Sequence, residues 1–228
     1  MKTKLKFLLL VIMGVFISVT DVYSQIDINV DLTNRYIWRG ADFGNSPSIQ
    51  PELSFATGGF EFGFWGAYAT TGEADGTELD IWASYTFDTN VGSFSLYATD
   101  YTFPIHHTGM TGTETWFDSG AHFIELGVGY AGTDAFPFSV FAGMFVHNDD
   151  DNSMYIELGY DAEPVEFFFG FTPFKSAAYG TTGAGIINMG VTGTKDVKIT
   201  ENFSIGLFSS LILNPYSENV HMLFGISL

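Results

Sequence analysis

Carboxylate side chains recur at alternate positions of several apolar segments, and the chain has only two arginines to balance them. These arginines are Arg35 and Arg39, and the acidic positions that can share a surface with them are Asp31, Glu52, Glu61, Glu78, Asp80, Glu125 and Glu157. Charged groups on one enclosed surface can form an ion-pair network, or they can select solutes by charge at a constriction. The two roles are compatible, and the excess of carboxylates predicts a preference for cations over anions.

A two-residue period places these charges on one face of predicted β-strands. In residues 26–38 the even positions are mostly apolar, whereas the odd positions include Asp27, Asp31 and Arg35. Because successive side chains of a strand point to opposite faces, this alternation predicts one apolar face and one polar face, with Arg35 among the carboxylates of neighbouring strands. Twelve such segments are predicted, at residues 26–38, 46–57, 60–70, 78–88, 92–103, 121–130, 136–146, 154–161, 165–172, 185–197, 203–214 and 219–228.

The connections between these segments alternate in length. Short turns such as Gly58-Gly59 and Thr89-Asn90-Val91 follow the even-numbered segments, and longer loops follow most odd-numbered ones. Short turns at one end and long loops at the other are typical of outer-membrane barrels. The predicted fold is therefore all-β: a single antiparallel transmembrane β-barrel of about twelve strands, with short periplasmic turns and longer extracellular loops.

The last segment, 219–228, has apolar residues at all its even positions. An even number of strands allows it to pair with the first segment and close the ring. Aromatic residues fall near the expected membrane interfaces, with Tyr36, Trp38 and Tyr68 toward the long-loop end. No run of about twenty apolar residues follows residue 24, so a closed barrel is the structure with which this chain can cross a membrane.

The amino terminus has the pattern of a cleaved export signal. Three lysines precede the apolar residues 7–19, and Val22 and Ser24 are small enough for a signal peptidase site. We expect residues 1–24 to be a signal peptide and residues 25–228 to form the barrel; an uncleaved anchor is the alternative, although the apolar run is short for a span. The predicted location is the outer membrane of a Gram-negative bacterium. Its expected partners there are the lipid bilayer, the barrel-assembly machinery and small solutes.

The net charge of the chain limits the classes of partner that it can bind. The formal net charge is −18, with 26 acidic and 8 basic residues, and there is no cysteine. A strong negative field repels phosphate, so the composition argues against nucleic acid as a partner. No cofactor is predicted.

The number of strands limits the width of the lumen. Twelve strands lie between the filled interior of a barrel of about eight strands and the aqueous channel of one of about sixteen. Phe141, Phe145 and Phe168 fall on inward faces and are expected to narrow the lumen further. A narrow porin-like channel is the predicted function, and a plugged barrel with a structural or surface-recognition role is an alternative.

The five histidines form no recognisable catalytic pattern with serine. His106 and His107 share a long loop, His122 begins a segment, His221 nearly ends the chain, and no Gly-x-Ser-x-Gly sequence occurs. The chain is therefore predicted not to be an enzyme, with a lipid-active barrel enzyme as a further alternative. The loop 147–153 is rich in Asp and Asn, and a solvated acidic loop is favoured there over a Ca²⁺ site.

The beginning of the chain resembles a known family. Residues 31–40 read Asp-Leu-Thr-Asn-Arg-Tyr-Ile-Trp-Arg-Gly, an aromatic-rich segment that ends in an Arg-Gly pair. A Pro-Ser-Ile-Gln-Pro segment at 47–51, a Gly59-Phe60 hairpin and a Trp65-Gly66 pair follow. These motifs are similar to those of the TorF-like family of exported bacterial porins. The resemblance covers roughly residues 30–70; it implies an outer-membrane barrel and supplies no catalytic residues.

Overall fold

Twelve strands close into one antiparallel β-barrel, as the alternating sequence predicts. The computed structural model describes residues 24–72, 76–103 and 116–228, so residues 1–23 of the predicted signal peptide lie outside it. The strands are β1 (Ser24–Thr33), β2 (Ile37–Trp38), β3 (Ala41–Asp42), β4 (Ser48–Thr57), β5 (Phe60–Ala69), β6 (Glu78–Thr89), β7 (Gly92–Thr102), β8 (His122–Ala131), β9 (Phe138–His147), β10 (Met154–Asp161), β11 (Val165–Thr172), β12 (Gly185–Thr200), β13 (Phe203–Asn214) and β14 (Asn219–Ser227). A short 3₁₀ helix lies at Ser119–Ala121. In the described part of the chain, no helix is long and apolar enough to span a membrane.

The ring follows chain order except where it closes. Strands β4 to β14 pair with their sequence neighbours, and β1 lies between β4 and β14. β1 pairs with β4 along its whole length. Its contact with β14 is shorter, and its register places Asp31 opposite Ser227 and Thr33 opposite Gly225. The last predicted segment thus pairs with the first, as expected from the even strand count.

The first strand is shorter than the alternation predicted. β1 ends at Thr33, whereas the predicted segment continued to residue 38. The chain then leaves the wall, and β2 and β3 form a separate two-stranded sheet. The remaining predicted segments agree with the barrel strands to within about three residues at each end, and short turns alternate with longer loops along most of the ring.

Large apolar side chains cover the outside of the barrel. Every barrel strand contributes at least one exposed large apolar residue. These residues include Ile28, Leu53, Phe64, Tyr85, Leu96, Leu126, Val140, Leu158, Phe167, Ile186, Leu211 and Met222. Because side chains alternate across a strand, the positions between them face the lumen.

Polar side chains and aromatic rings line the interior. The buried polar residues of the barrel strands include Ser48, Ser54, Glu78, Asp80, Ser84, Glu125, Asn188 and Ser210. Tyr101, Phe145 and Tyr155 are buried beside them. This distribution is the reverse of that in a soluble domain, where most large apolar residues are inside and most charged residues are exposed.

Candidate functional site in the barrel lumen

The connection between β1 and β4, residues 34–47, folds into the lumen and is called the inserted segment below. Its first residue, Asn34, takes over the pairing with β14: the side-chain Nδ2 donates to the carbonyl of Met222 at 3.0 Å, and Oδ1 accepts from the amide of Phe224 at 2.8 Å. The Asn34 amide still donates to the carbonyl of Phe224 at 3.0 Å, and the side-chain bonds take the place of the backbone bonds that a longer β1 would make beyond it. The main chain is therefore free to turn inward after Asn34.

Inside the barrel the inserted segment forms the hairpin β2–β3, which turns at Arg39 and Gly40 between the paired residues Trp38 and Ala41. Both turn residues have positive φ, 47° and 78°, as a type I′ turn requires. Such a φ is strained for arginine, so other contacts must hold it. A Cβ at Gly40 would lie 2.0 Å from the carbonyl oxygen of Ile187, so glycine is needed for the turn to pack against β12.

The side chain of Arg39 extends to β8, which lies on the far side of the ring from β1 and β4, the strands that the inserted segment connects. Its guanidinium donates two hydrogen bonds, of 2.6 and 2.8 Å, to the Glu125 carboxylate on β8, and a third to the hydroxyl of Tyr179. The rings of Trp38 and Tyr155 lie 4.5 and 4.4 Å from the guanidinium carbon. The Arg39 side chain is 12% exposed and that of Glu125 is 3% exposed. A buried bidentate pair of this kind fixes the tip of the hairpin in position.

Two further contacts hold the base of the inserted segment. Tyr36 is buried, and its hydroxyl donates to Glu78 at 3.0 Å. Burial and the neighbouring carboxylates raise the pKa of the Tyr36 hydroxyl well above its usual value, so it remains a donor. Arg35 donates to Asp42 at 3.1 Å and to the carbonyl of Gly44. Arg35 therefore lies inward among carboxylates of neighbouring strands, as expected, but its ion-pair partner is Asp42 of its own segment.

The inserted segment borders two cavities. The outer cavity, of about 620 Å³, is lined by residues of the long loops such as Asp149 and Ala177. The inner cavity, of about 410 Å³, is lined by strand residues and extends across the lumen to Phe208 on β13. Trp38 and Tyr101 line both cavities, and their ring centroids are 5.5 Å apart in an edge contact. These two rings thus form the boundary between the cavities.

The structure brings several of the predicted site residues together. Asp31, Glu52 and Asp80 line the inner cavity with Arg35. Glu78 lines the outer cavity.

Three other predicted carboxylates lie elsewhere on the interior wall. Glu125 binds Arg39. Glu61 accepts a hydrogen bond from Ser54 at 3.0 Å, and Glu157 accepts one from Asn188 at 3.0 Å. The predicted set is therefore divided among two cavities, one ion pair and two separate hydrogen bonds.

The aromatic residues of the site were not predicted as such. Tyr36 and Trp38 were expected near the membrane interface at the long-loop end. This expectation was wrong, because the inserted segment carries both residues into the lumen, where Tyr36 is only 5% exposed. A polar Asn34 within an otherwise apolar row was the signal that the strand ends there. Trp65 and Trp82 stand on the same faces as Glu61 and Asp80, so the alternation alone places them inward.

The histidine at the start of β8 has no free ring nitrogen. His122 Nδ1 lies 2.8 Å from a carboxylate oxygen of Asp100, and Nε2 lies 2.8 Å from the carbonyl oxygen of Trp116. Because both nitrogens face an acceptor, neither is placed to take a proton from a nucleophile. His106 and His107 lie outside the described residues.

Two of the three aspartates in the acidic loop 147–153 accept hydrogen bonds from neighbouring protein groups. Asp149 accepts hydrogen bonds from the amide and the hydroxyl of Ser153, and Asp151 accepts one from the amide of Ala177 at 2.9 Å. Within residues 24–72, 76–103 and 116–228, no group of three or more His, Cys, Asp or Glu side chains is arranged to hold a metal ion.

A family model covers most of this architecture. The model of Gcw_chp, described as a bacterial protein of unknown function, matches residues 20–199. This chain belongs to the Gcw_chp family. No curated protein matches the chain. In this Gcw_chp member the matched residues contain the whole inserted segment and its wall partner Glu125, whereas β13 and β14 follow the matched span.

Proposed function

We propose that this Gcw_chp protein is an outer-membrane barrel through which small solutes pass passively. The apolar exterior supports a place in a membrane, because soluble monomers rarely expose a contiguous apolar surface of this extent. Leu96, Leu126 and Met222 lie on strands and are 55%, 50% and 67% exposed. A hydrocarbon layer covers such a surface, and closure of the barrel pairs most of the backbone groups within it.

The observation that carries the channel proposal is the pair of cavities that meet at Trp38 and Tyr101. The outer one reaches the long loops, the inner one lies among the strands, and Trp38 and Tyr101 line both. A solute that moves directly from one cavity to the other would therefore pass these two rings. Such a constriction favours small solutes and a low conductance.

The charges around the cavities favour cations. Asp31, Glu52 and Asp80 line the inner cavity, and the only arginine that lines it, Arg35, is bound to Asp42. Low-dielectric walls concentrate the field of such carboxylates, which raises the local concentration of cations.

Planar-bilayer recordings of the purified barrel test this proposal. We expect small single-channel steps and a reversal potential in a KCl gradient that indicates cation preference. An absence of steps at every voltage and salt concentration, with the protein shown to be folded and inserted, would contradict the proposal.

A plugged barrel with a structural or recognition role is the second candidate, and the Arg39–Glu125 contact favours it. Arg39 also binds Tyr179, so the hairpin tip is joined both to the wall and to a long loop. On this alternative the wild type has no conductance, whereas variants that detach the hairpin acquire it. For the lipid-active enzyme, His122 is a poor candidate base, because both of its ring nitrogens are already engaged.

A further inference from the structure

We propose that the inner cavity binds a small organic cation of the substituted-ammonium class. This inference rests on the proposed function, because it names a class of solute for the same lumen. A volume of about 410 Å³ falls within the range of pockets that enclose small ligands.

Aromatic rings form much of the wall of this cavity. Three of the four tryptophans of the chain line it, Trp38, Trp65 and Trp82, together with Tyr36 and Tyr101. The face of an indole ring attracts a cation through its quadrupole, and cages of such rings suit alkylated ammonium groups. A hard metal ion would instead require about six oxygen ligands, which an aromatic wall does not supply.

One buried carboxylate of the cavity has an unused acceptor. Asp80 is 6% exposed, and its Oδ1 has no hydrogen-bond partner among the described residues. Asp80 lies directly opposite Trp65 on the neighbouring strand. A buried polar atom without a partner is costly, and a bound cation would provide the missing interaction. The unpartnered oxygen and the rings of the cavity therefore suit the same ligand.

The remaining charges have the sign that a cation requires. Asp31 and Glu52 line the cavity with Asp80, and Arg35 is the only cationic side chain among the lining residues. The Arg35 guanidinium binds Asp42 at 3.1 Å, and Asp42 does not line the cavity. The positive charge of Arg35 is therefore already balanced by a residue outside the lining. Three acidic side chains thus line the cavity with one guanidinium, a composition that favours a cation over an anion.

Equilibrium binding of choline to the detergent-folded barrel, followed by calorimetry, tests this inference. The control ligand is 3,3-dimethylbutan-1-ol, which has the shape of choline without its charge. We expect choline to bind at least about 10-fold more tightly than the alcohol, the factor that a desolvated cation–π contact supplies. Asp80→Asn and Trp82→Leu should each weaken choline binding by about 10-fold. Asp88→Asn, a matched change on the same strand at an exposed position, should leave it unchanged.

The outcomes separate this inference from the proposed function. Equal affinities for choline and the alcohol, or no binding of choline, would overturn the inference even if the barrel conducts. If choline binds to a barrel that never conducts, the binding inference is supported and the channel proposal is contradicted. Heat-dependent gel mobility shows whether Asp80→Asn has folded. If it has not, Glu52→Gln replaces it, with the same expected loss of choline affinity.

Discussion

Arg39 and Glu125 lie 86 positions apart in the sequence, and two hydrogen bonds of 2.6 and 2.8 Å join their side chains across the lumen. Arg39 stands at a strained turn of a hairpin that hangs from one side of the barrel, and Glu125 stands on β8 at the other. The ion pair therefore links the inserted segment to a wall that the local chain does not reach. This link holds the tip of the hairpin inside the barrel.

Replacement of Arg39 by Met should destabilise the folded barrel by roughly 3–5 kcal/mol, because it leaves the Glu125 carboxylate buried and unpaired. The measurement is the unfolding midpoint in urea, read from gel mobility. Arg35→Met is the matched control, since Arg35 and Asp42 are 37% and 29% exposed and such pairs contribute roughly 0–1 kcal/mol. The double change Arg39→Met with Glu125→Leu should recover part of the loss. If Arg39→Met and Arg35→Met cost the same, the link across the lumen does not contribute to stability.

Gly40→Ala should detach the hairpin from β12. A Cβ there meets the Ile187 carbonyl oxygen at 2.0 Å, a collision that adds to the roughly 1–2 kcal/mol cost of a left-handed alanine. Gly58→Ala is a sharp control, because Gly58 has a similar φ of 61° and nothing within 4 Å of the added atom. We expect larger conductance for Gly40→Ala alone, measured in planar bilayers. Identical behaviour of the two variants would show that the packing against β12 is unimportant.

Leu126→Arg tests whether the exterior faces lipid. Leu126 lies in the middle of β8 and is 50% exposed, so in a membrane the substitution should cost roughly 2–4 kcal/mol, whereas in water it would cost little. Val91→Arg, at a short turn and 58% exposed, should be tolerated in either case. The measurement is the yield of folded barrel in lipid vesicles. Equal yields for both variants would argue against a membrane location for the mid-strand surface.

Glu52→Gln with Glu78→Gln should weaken the preference for cations. Both positions line cavities of the lumen, so removal of their charge reduces the local field. Glu201→Gln, an exposed residue in the short turn between β12 and β13, is the control. The reversal potential in a KCl gradient should move toward zero for the double variant only. An unchanged reversal potential would contradict the assignment of these carboxylates to the ion path.

The contact between the loops 147–153 and 173–184 should weaken in strong acid. The hydrogen bond from the Ala177 amide, helped by Ser153 and Lys175, holds the pKa of Asp151 below its usual value. A lowered folded-state pKa stabilises the contact above the usual carboxyl pKa, and this stabilisation is lost as the pH falls through the lowered value. Hydrogen exchange at Ala177, corrected for its intrinsic pH dependence, should lose protection in that range. Asp151→Asn should show low protection at every pH, and the exposed Asp150→Asn should behave as wild type.

The wall of the barrel was predictable because its two determinants are local. The two-residue alternation of apolar and polar side chains determines which face of each strand is apolar. Turn residues such as Gly58-Gly59 determine where the strands end. The inward placement of Asp80 and Glu125 follows from the same alternation. The TorF-like resemblance agrees with a barrel, but no match supports that family, and it stays a prediction.

The inserted segment was not predictable in the same way. Its position depends on contacts that are distant in sequence, such as Asn34 with Phe224 and Arg39 with Glu125. The alternation of residues 26–38 continues past the end of β1. The aromatic side chains of Tyr36 and Trp38 suit the barrel lumen, and they would suit a membrane interface equally well. Periodicity does not distinguish the two environments when the same residue types suit both.

Asn34 makes the closure of the wall and the placement of the inserted segment interdependent. Its side chain bonds to Met222 and Phe224 of β14, immediately beyond the few backbone pairs that join β1 to β14. The ring cannot open along this seam without also releasing the root of the hairpin. The position of the hairpin is therefore coupled to the integrity of the wall, unlike a lid that moves while the wall stays intact.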